Sequence, residues 1–393
     1  MILTKTSDTL FDLVIIGGGI FGLWAAKAAY DRGLKVAVAE RDHIGAGASG
    51  GLLGALMPHI PTGWNEKKQF QLEALATLPR FIEQLEADTG LSCGYHRTGR
   101  VMPLRSERFV DITLQREKAA ERNWCHGPET FTFSRISDSD LSEWLRPEKA
   151  PFGYVYDSLA ARIDPREYIK ALKTWLSSRI SIFEGLTFER FDNGLARFNK
   201  GAVTLKSGSA LLAQGYEAFD YLRRAHGLDL GRGVKGQAAA FFVGDTVQDM
   251  PVIYDDGVYI VPHDNGYCAV GSTSEDNWSD PLLPDPDNHG FITKAQELCP
   301  RLENLSPTLY WAGVRPKCHE REPIVGRLFS NEPLYVATGG FKISFGIAHR
   351  IAEALADEIT GSTGGISLPE SFTTDHHIRA CRAKMVPSAG HLH

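Results

Sequence analysis

The chain has 393 residues and a formal net charge of −6 at pH 7. This length allows two domains, and the lack of any basic run argues against nucleic acid or an anionic membrane surface as a partner. The six cysteines form no CxxC pair, so we expect free thiols and no metal site. No apolar stretch reaches about eighteen residues and no signal-peptide pattern stands at the start, so we expect a cytoplasmic protein without a membrane span.

The first predicted elements form a βαβ unit that ends at Glu40. Residues 13–16 are typical of a strand buried on both faces, a helix is predicted to about residue 32, and residues 35–39 predict a second strand. A GxGxxG motif joins the first strand to the helix; its glycines are Gly17, Gly19 and Gly22. They allow a tight turn, approach of the backbone to a pyrophosphate, and packing of helix on strand. Glu40 stands where a carboxylate bonds a ribose hydroxyl and repels the extra phosphate of NADP. The unit therefore predicts an adenine dinucleotide, and it fits FAD and NAD equally.

A second glycine-rich segment follows, with five glycines between positions 45 and 54. Leu52 and Leu53 within it are poorly suited to open solvent. We therefore interpret the segment as a backbone wall against a flat ligand rather than as a flexible loop.

The middle of the chain alternates helical and extended patterns. We predict a helix over residues 67–88 with a core-facing apolar stripe, a hairpin over residues 90–104, and a helix over residues 109–122. A turn at residues 164–165 then starts an amphipathic helix that ends near residue 177.

The second half returns to the nucleotide after an antiparallel region. The predicted elements, in chain order, are short strands over 180–215 ending at Gly215, an antiparallel sheet over 234–273 with a hairpin turn at 264–266, a strand over 334–337, a second glycine turn (TGGF), and a helix over 346–360. The segment from Ser371 shows no period, and no function is assigned to it.

Several segments together resemble the FAD-dependent amino acid and amine oxidoreductases of the D-amino acid oxidase and glycine oxidase type. They are VIIGGGIFG with AVAE, GASGGLLGA, VKGQ, YIVPHDNGYCAVGSTSE, GVRPKCHEREPIVGR and YVATGGFKISFGIA. The resemblance covers nearly the whole chain and implies an α/β (α+β) fold, in which a discontinuous Rossmann-type FAD-binding domain carries an inserted antiparallel-sheet substrate domain. We expect the FAD-binding domain at 1–86, 150–220 and 312–370, the substrate domain at 87–149 and 221–311, and a tail at 371–393.

The resemblance also implies the cofactor and its residues. FAD is expected to bind non-covalently, because Cys318 does not match the position that links flavin in some amine-oxidising relatives. The residues expected at the cofactor are Gly17, Gly19, Ile20, Phe21, Gly22, Glu40, Arg41, Ala48, Ser49, Gly50, Gly51, Leu52, Leu53, Gly215, Gly339, Gly340, Phe341, Lys342, Ile343 and Ser344.

Three residues are expected to serve the reaction, which the resemblance implies is hydride transfer from a substrate α-carbon to flavin. Arg315, in the family's RP segment, is expected to grip a carboxylate with two parallel hydrogen bonds, and its alternative is a structural ion pair. Tyr259 matches a pocket position in glycine oxidase relatives, and its alternative is a core tyrosine. Lys342 stands where relatives often have arginine; it would meet a second carboxylate, neutralise flavin or face solvent.

The leading interpretation is an enzyme that oxidises glycine or an N-substituted glycine, such as sarcosine or iminodiacetate, to an imine that hydrolyses to glyoxylate. One alternative is a D-amino acid dehydrogenase that passes electrons to a quinone or carrier, and another is the flavin-binding subunit of a heteromeric dehydrogenase. The expected partners are a small amino acid or amine and oxygen or another acceptor, and the sequence allows a homo-oligomer. An NAD-dependent dehydrogenase is disfavoured, because the glycine wall and second glycine turn suit a deeply held flavin.

Overall fold

The fold is built on two eight-stranded sheets. This computed structural model describes residues 5–137, 141–244, 247–285, 287, 289–362 and 365–385. The strands are β1 (Lys5–Ile16), β2 (Val36–Ala39), β3 (Ala55–Leu56), β4 (Arg100–Pro103), β5 (Cys125–His126), β6 (Glu129–Thr130), β7 (Phe133–Ile136), β8 (Tyr154–Asp157), β9 (Ala161–Arg162), β10 (Ser181–Phe183), β11 (Phe188–Asp192), β12 (Leu195–Phe198), β13 (Val203–Leu212), β14 (Gly231–Phe242), β15 (Val252–Asp255), β16 (Val258–Pro262), β17 (Tyr267–Gly271), β18 (Leu309–Cys318), β19 (Ile324–Phe329) and β20 (Glu332–Thr338). The helices are α1 (Ile20–Asp31), α2 (Glu66–Thr89), α3 (Glu107–Asn123), α4 (Pro165–Ser177), α5 (Glu217–His226), α6 (Gly290–Leu298), α7 (Ser344–Thr360) and α8 (Thr374–Met385).

The first sheet has a parallel centre in the order β10-β2-β1-β13, with β20 also parallel to β13. Leu13 and Ile15 of β1 pack into a core with α1 and α7, whereas Val14 and Ile16 pack into a second core with α5. Strand β1 is therefore buried on both faces, as its continuous apolar run predicts. The predicted βαβ unit and the predicted α/β (α+β) fold class are confirmed.

The second sheet has the order β18-β14-β17-β16-β15-β4-β8-β7 and is antiparallel except where β4 meets β15. One face packs against α6 through alternate residues such as Ile253, Ile260 and Val270. The intervening residues lie on the opposite face, because side chains alternate along a strand. That opposite face forms one wall of the cavity described below.

Two regions differ from the sequence prediction. The expected hairpin over 90–104 is wrong: within it only β4 is a strand, and its partners are β8 and β15. The segment after Ser371 is not featureless, because α8 packs on the first sheet and buries His377 and Cys381. Its few buried side chains make too short a pattern to be recognised as a helix period.

The domain boundaries remain a prediction, and sheet membership gives a reason to adjust them. Strands β8 and β18 both belong to the antiparallel sheet. The predicted boundaries instead group residues 150–220 and 312–370 with the FAD-binding domain. Within the described residues, every helix lacks the combination of length and apolar character needed to cross a bilayer.

Candidate active site

A cavity of about 970 Å³ lies between the glycine turns of the first sheet and the open face of the second. Its volume is at the upper end of what small-molecule and cofactor sites require. All three residues expected to serve the reaction line it, as do the expected cofactor residues with four exceptions. The structure thus gathers most of the predicted positions around one space.

The turn after β1 brings backbone close to backbone. Gly17 has φ +112°, and a Cβ built on it would lie 2.5 Å from the carbonyl oxygen of Ala213. A Cβ on Gly22 would lie 2.0 Å from the carbonyl oxygen of Gly17, so only glycine lets α1 approach the turn. Helix α1 starts here, and the amide of Ile20 donates to Ser49 Oγ over 3.0 Å. The positive end of the helix dipole therefore points at the cavity, which favours a phosphate there.

Glu40 is held at the end of β2 by two backbone amides. Its Oε2 accepts from the amide of Gly18 over 2.7 Å, and its Oε1 accepts from the amide of Asp42 over 3.0 Å. Arg41 beside it pairs with Asp42 and Glu217. The carboxylate is fixed at the cavity wall, and its contact with a ribose hydroxyl stays a prediction.

The four exceptions among the expected cofactor residues are Gly22, Gly50, Gly339 and Gly340. They do not line the cavity, and each instead permits close packing. A Cβ on Gly50 would lie 2.5 Å from the carbonyl oxygen of Gly45, and a Cβ on Gly339 would lie 2.2 Å from the Cys318 sulfur. We infer that these glycines shape the turns that carry the lining residues.

The predicted wall is packed onto the second sheet. Leu52 is 8% exposed and clusters with Ala238, Ala240 and Ala269. The carbonyl oxygen of Leu52 accepts a hydrogen bond of 2.9 Å from His263 Nε2, which must therefore carry the proton. The leucines thus anchor the wall to the sheet while its backbone borders the cavity.

Strand register places the other wall of the site on one face of the second sheet. Tyr254 of β15 pairs with Tyr259 of β16, and Tyr259 pairs with Gly271 of β17. Further along, Ala238 of β14 pairs with Trp311 of β18, four residues before Arg315. The two middle strands, β14 and β17, place the small residues Ala238 and Gly271 on this face, and the strands on either side place large side chains there. A flat ligand therefore has room at the centre of the face.

Arg315 lies across Gly236, where a Cβ would come within 2.1 Å of its Nη2. Nη1 donates to Ser272 Oγ over 3.0 Å and Nη2 to the carbonyl oxygen of Thr273 over 2.5 Å, while the buried Nε has no partner among the described residues. Burial lowers the pKa of Arg315 to about 10, against the opposing influence of Glu275 and Tyr259. The guanidinium is therefore charged and held in place at the cavity wall.

Three cations surround the ring of Phe341. Arg315 Cζ lies 5.3 Å, Lys317 Nζ 5.4 Å and Lys342 Nζ 5.9 Å from its centroid. Burial, together with Arg315 and Lys317, lowers the pKa of Lys342 to about 8. Lys342 thus lies at the same end of the cavity as Arg315, and part of its population is neutral at pH 8.

Tyr259 lines the cavity rather than the core. Its ring centroid lies 4.6 Å from that of Tyr254. Burial raises the pKa of Tyr259 to about 12, although Arg100 and Arg315 act in the opposite direction. Tyr259 therefore keeps its hydroxyl proton at neutral pH and can donate a hydrogen bond.

Sequence reasoning missed four notable lining residues: Arg100, Tyr254, Trp311 and His59. Tyr254 has a signal in retrospect, because the residues on either side of it in β15 are buried, whereas Trp311 stands between exposed and buried stretches of β18 and shows no alternation. His59 follows the wall, where burial and Lys67 lower its pKa to about 4. Arg100 has no local signal, since its place depends on the pairing of β4 with a strand 150 positions later.

Comparison with known proteins gives the class of this site. The family model described as FAD dependent oxidoreductase matches residues 12–357, so the chain belongs to that family and FAD is its cofactor. The chain is 24% identical to a glycine oxidase of Bacillus licheniformis over 379 residues, which cover 93% of this chain and 97% of that protein. It is 26% identical to a glycine oxidase of Pseudomonas putida over 370 residues, 89% of this chain and 94% of that protein.

Solved structures show the same fold. Glycine oxidase from Geobacillus kaustophilus superposes with a TM-score of 0.81 at 21% identity, covering 93% of this chain and 98% of that one. Iminodiacetate oxidase from Chelativorans sp. BNC1 superposes with a TM-score of 0.79 at 20% identity, covering 92% and 98%. The chain thus shares both the family and the fold of FAD-dependent oxidoreductases, glycine oxidases among them.

The residues present fit the cofactor. The turn glycines keep side chains away from the start of α1, so a pyrophosphate can approach the backbone there, and the cavity extends from that turn to the antiparallel face. Cys318 is buried and does not line the cavity. This supports the expectation that FAD is held without a bond to that sulfur.

Proposed function

We propose that the protein oxidises glycine or an N-substituted glycine, such as sarcosine or iminodiacetate, to an imine that water hydrolyses to glyoxylate. The observation that carries the proposal is the meeting of Arg315, Tyr259 and Lys342 on one cavity that continues to the dinucleotide turn. FAD, when bound, supplies the acceptor for the hydride. What remains for the protein is to position the substrate.

Arg315 binds the substrate carboxylate in this proposal. Its guanidinium is fixed by Ser272 and Thr273, so little conformational freedom is lost when a carboxylate docks. Tyr259, protonated at neutral pH, donates a further hydrogen bond from β16 of the same sheet, which β14 and β17 separate from β18. Together they hold the α-carbon in one orientation, and orientation is a large part of the rate for a reaction that needs no strong side-chain base.

Lys342 provides a second positive charge beside Arg315. A substrate with two carboxylates, such as iminodiacetate, then has a cation for each, while glycine and sarcosine leave one unused. A lysine stem is flexible and can also direct the ammonium to solvent. The choice between these roles is tested by the Lys342 predictions below.

The proposal places the cofactor without a covalent bond and the protein in the cytoplasm. The dinucleotide is held by the turn at Gly17 and Gly19, by Glu40 and by the wall around Gly51. All six cysteines are free, which supports a reducing compartment. The electron acceptor is oxygen or another oxidant.

Anaerobic spectra of the purified protein test this function. We expect yellow protein that releases FAD on denaturation and whose visible absorption bleaches with glycine, sarcosine or iminodiacetate. Bleaching by D-amino acids alone would replace the proposal with a D-amino acid dehydrogenase. Bleaching only after addition of a second protein would identify the chain as a subunit of a heteromeric dehydrogenase. Admitting oxygen or a quinone to the bleached protein then shows which of them reoxidises the flavin.

A further inference from the structure

The cavity has a second polar region, separated from Arg315 along the sheet. It is formed by Arg100 of β4 and Tyr254 of β15, both of which line the cavity. In the order of the sheet, β15 and β16 lie between β4 and the strands that carry Arg315 and its partners. Tyr254 and Tyr259 therefore separate the two guanidinium groups.

Arg100 is 6% exposed and bound on one edge only. Its Nε donates to Asp157 Oδ2 over 2.7 Å, and its Nη2 lies 2.6 Å from the same oxygen. Asp157 is fixed in turn, because its Oδ1 accepts from the amide of Ala160 over 2.9 Å. Arg100 Nη1 has no hydrogen-bond partner among the residues that the structure describes.

An unpaired guanidinium N–H at the wall of a cavity is a donor that an acceptor atom of a ligand can complete. The charge of Arg100 is already neutralised by the fully buried Asp157, so the pair offers a directed donor rather than a net positive charge. The centroid of the Tyr254 ring lies 5.9 Å from Arg100 Cζ, so an aromatic surface stands beside the guanidinium. An uncharged oxygen satisfies such a donor without a need for a counter-charge.

We propose that Arg100 and Tyr254 form a specificity subsite for an uncharged oxygen, a hydroxyl or carbonyl, at the end of the substrate's N-substituent. This inference rests on the proposed function, because it takes the α-carboxylate to be bound at Arg315. The substrate class is then a glycine whose nitrogen carries a short chain ending in such an oxygen. Arg100 acts as a specificity residue, and Asp157 positions it.

The test compares ligands that differ only in that oxygen. (2-Hydroxyethoxy)acetate and propoxyacetate resemble N-(2-hydroxyethyl)glycine and N-propylglycine with an ether oxygen in place of the amine, so they bind without reacting. Their Kd values for the FAD-loaded protein are measured from the shift in the flavin absorption spectrum, and a second pair, (3-hydroxypropoxy)acetate and butoxyacetate, covers a longer reach. We expect the hydroxyl ligand of one pair to bind about tenfold more tightly than its methyl partner.

Substitution of Arg100 tests whether this residue causes the tighter binding of the hydroxyl ligand. In Arg100→Lys the ammonium still pairs with Asp157 but cannot present a second donor edge, so the hydroxyl-to-methyl ratio should fall to near one. Arg116→Lys is the matched control: Arg116 also lies over an aromatic ring, that of Phe133, but does not line the cavity, and the ratio should persist. If Arg100→Lys does not fold, the double change Arg100→Met with Asp157→Asn removes both charges and the donor of Arg100, and the hydroxyl-to-methyl ratio should again fall to near one.

Three outcomes overturn the inference: equal Kd values within both pairs, a ratio that survives the Arg100 variants, or diglycolate losing more affinity than the hydroxyl ligands in those variants. A larger loss for diglycolate would indicate that the subsite binds a carboxylate rather than an uncharged oxygen. These readings do not depend on turnover. Failure of every amine to bleach the flavin would instead reject the proposed function and leave the ligand ratios to decide the subsite.

Discussion

The dinucleotide turn and the antiparallel face border the same cavity but are built in different ways. The turn uses residues within about thirty positions, and its requirements concern backbone: glycine at Gly17 and Gly22, and a carboxylate at Glu40. The face draws Arg100, Tyr259 and Arg315 from strands far apart in the chain, and its requirements concern side chains. Cofactor binding therefore depends on residues close together in the sequence, and we expect a change there to abolish it. Substrate selection depends on residues far apart in the sequence, and we expect changes there to alter affinity by degrees.

The largest effect is expected at the turn. Gly22→Ala puts a Cβ 2.0 Å from a backbone oxygen that cannot move aside cheaply, so we expect protein with little or no bound FAD. Flavin content after desalting, from the ratio of visible to ultraviolet absorption, measures this. Gly290→Ala at the start of α6 has no heavy atom within 4 Å and should keep the parental content. If Gly22→Ala kept the flavin content of the parent, the turn would accommodate a Cβ at this position, and the prediction would be wrong.

The next effect is expected at the Arg315 end of the face. In Arg315→Lys one ammonium cannot hold Ser272, Thr273 and two oxygens of a carboxylate, so we expect KM for the amine substrate to rise at least tenfold. Competitive carboxylate inhibitors should weaken in parallel. Arg232→Lys on the same sheet, at an exposed ion pair with Asp276, is the control that should change neither. Inhibitors that bind the Arg315 variant as tightly as the parent would make Arg315 structural.

A graded effect is expected at Lys342. If its ammonium meets a second carboxylate, the parent should prefer iminodiacetate over sarcosine in kcat/KM by about 10- to 150-fold, the range of one charge-assisted hydrogen bond. Lys342→Met should abolish this preference. Lys317→Met removes another cation near Phe341 that does not line the cavity, and should preserve most of it. If the parent does not prefer iminodiacetate, or if the preference survives in Lys342→Met, we would conclude that the lysine does not contact the second carboxylate.

The smallest effect is a pH dependence of the same preference. Because the pKa of Lys342 is lowered to about 8, the ammonium is present below pH 8 and is lost as the pH rises through that value. The affinity for diglycolate relative to methoxyacetate should therefore fall between pH 7 and 9, since neither ligand titrates there. In Lys317→Met the midpoint should move up, because one of the charges that lowers the pKa is gone. A flat ratio in the parent would contradict the lowered pKa or the contact.

Local patterns in the sequence predicted much of the first sheet and its helices. Helix α2 spans Glu66–Thr89 against the predicted 67–88, and α7 spans Ser344–Thr360 against 346–360. These elements carry their own signals, namely a continuous apolar run, a 3.6-residue period and a glycine at the end. The predicted hairpin over 90–104 failed because β4 takes its partners from elsewhere in the chain, and no short-range pattern encodes that pairing.

The sequence by itself determined the dinucleotide turn, because its function depends on which residues lack side chains and on their spacing along one strand and one helix. It also indicated Arg315, Tyr259 and Lys342 through a resemblance to a family. Only the tertiary structure decided that Arg100 and Tyr254 share their cavity, and that Gly50, Gly339 and Gly340 stand at close packing contacts outside its lining. The physical reason is register: a strand places alternate side chains on one face, but which strands adjoin, and so which side chains meet, is set by contacts across the whole fold.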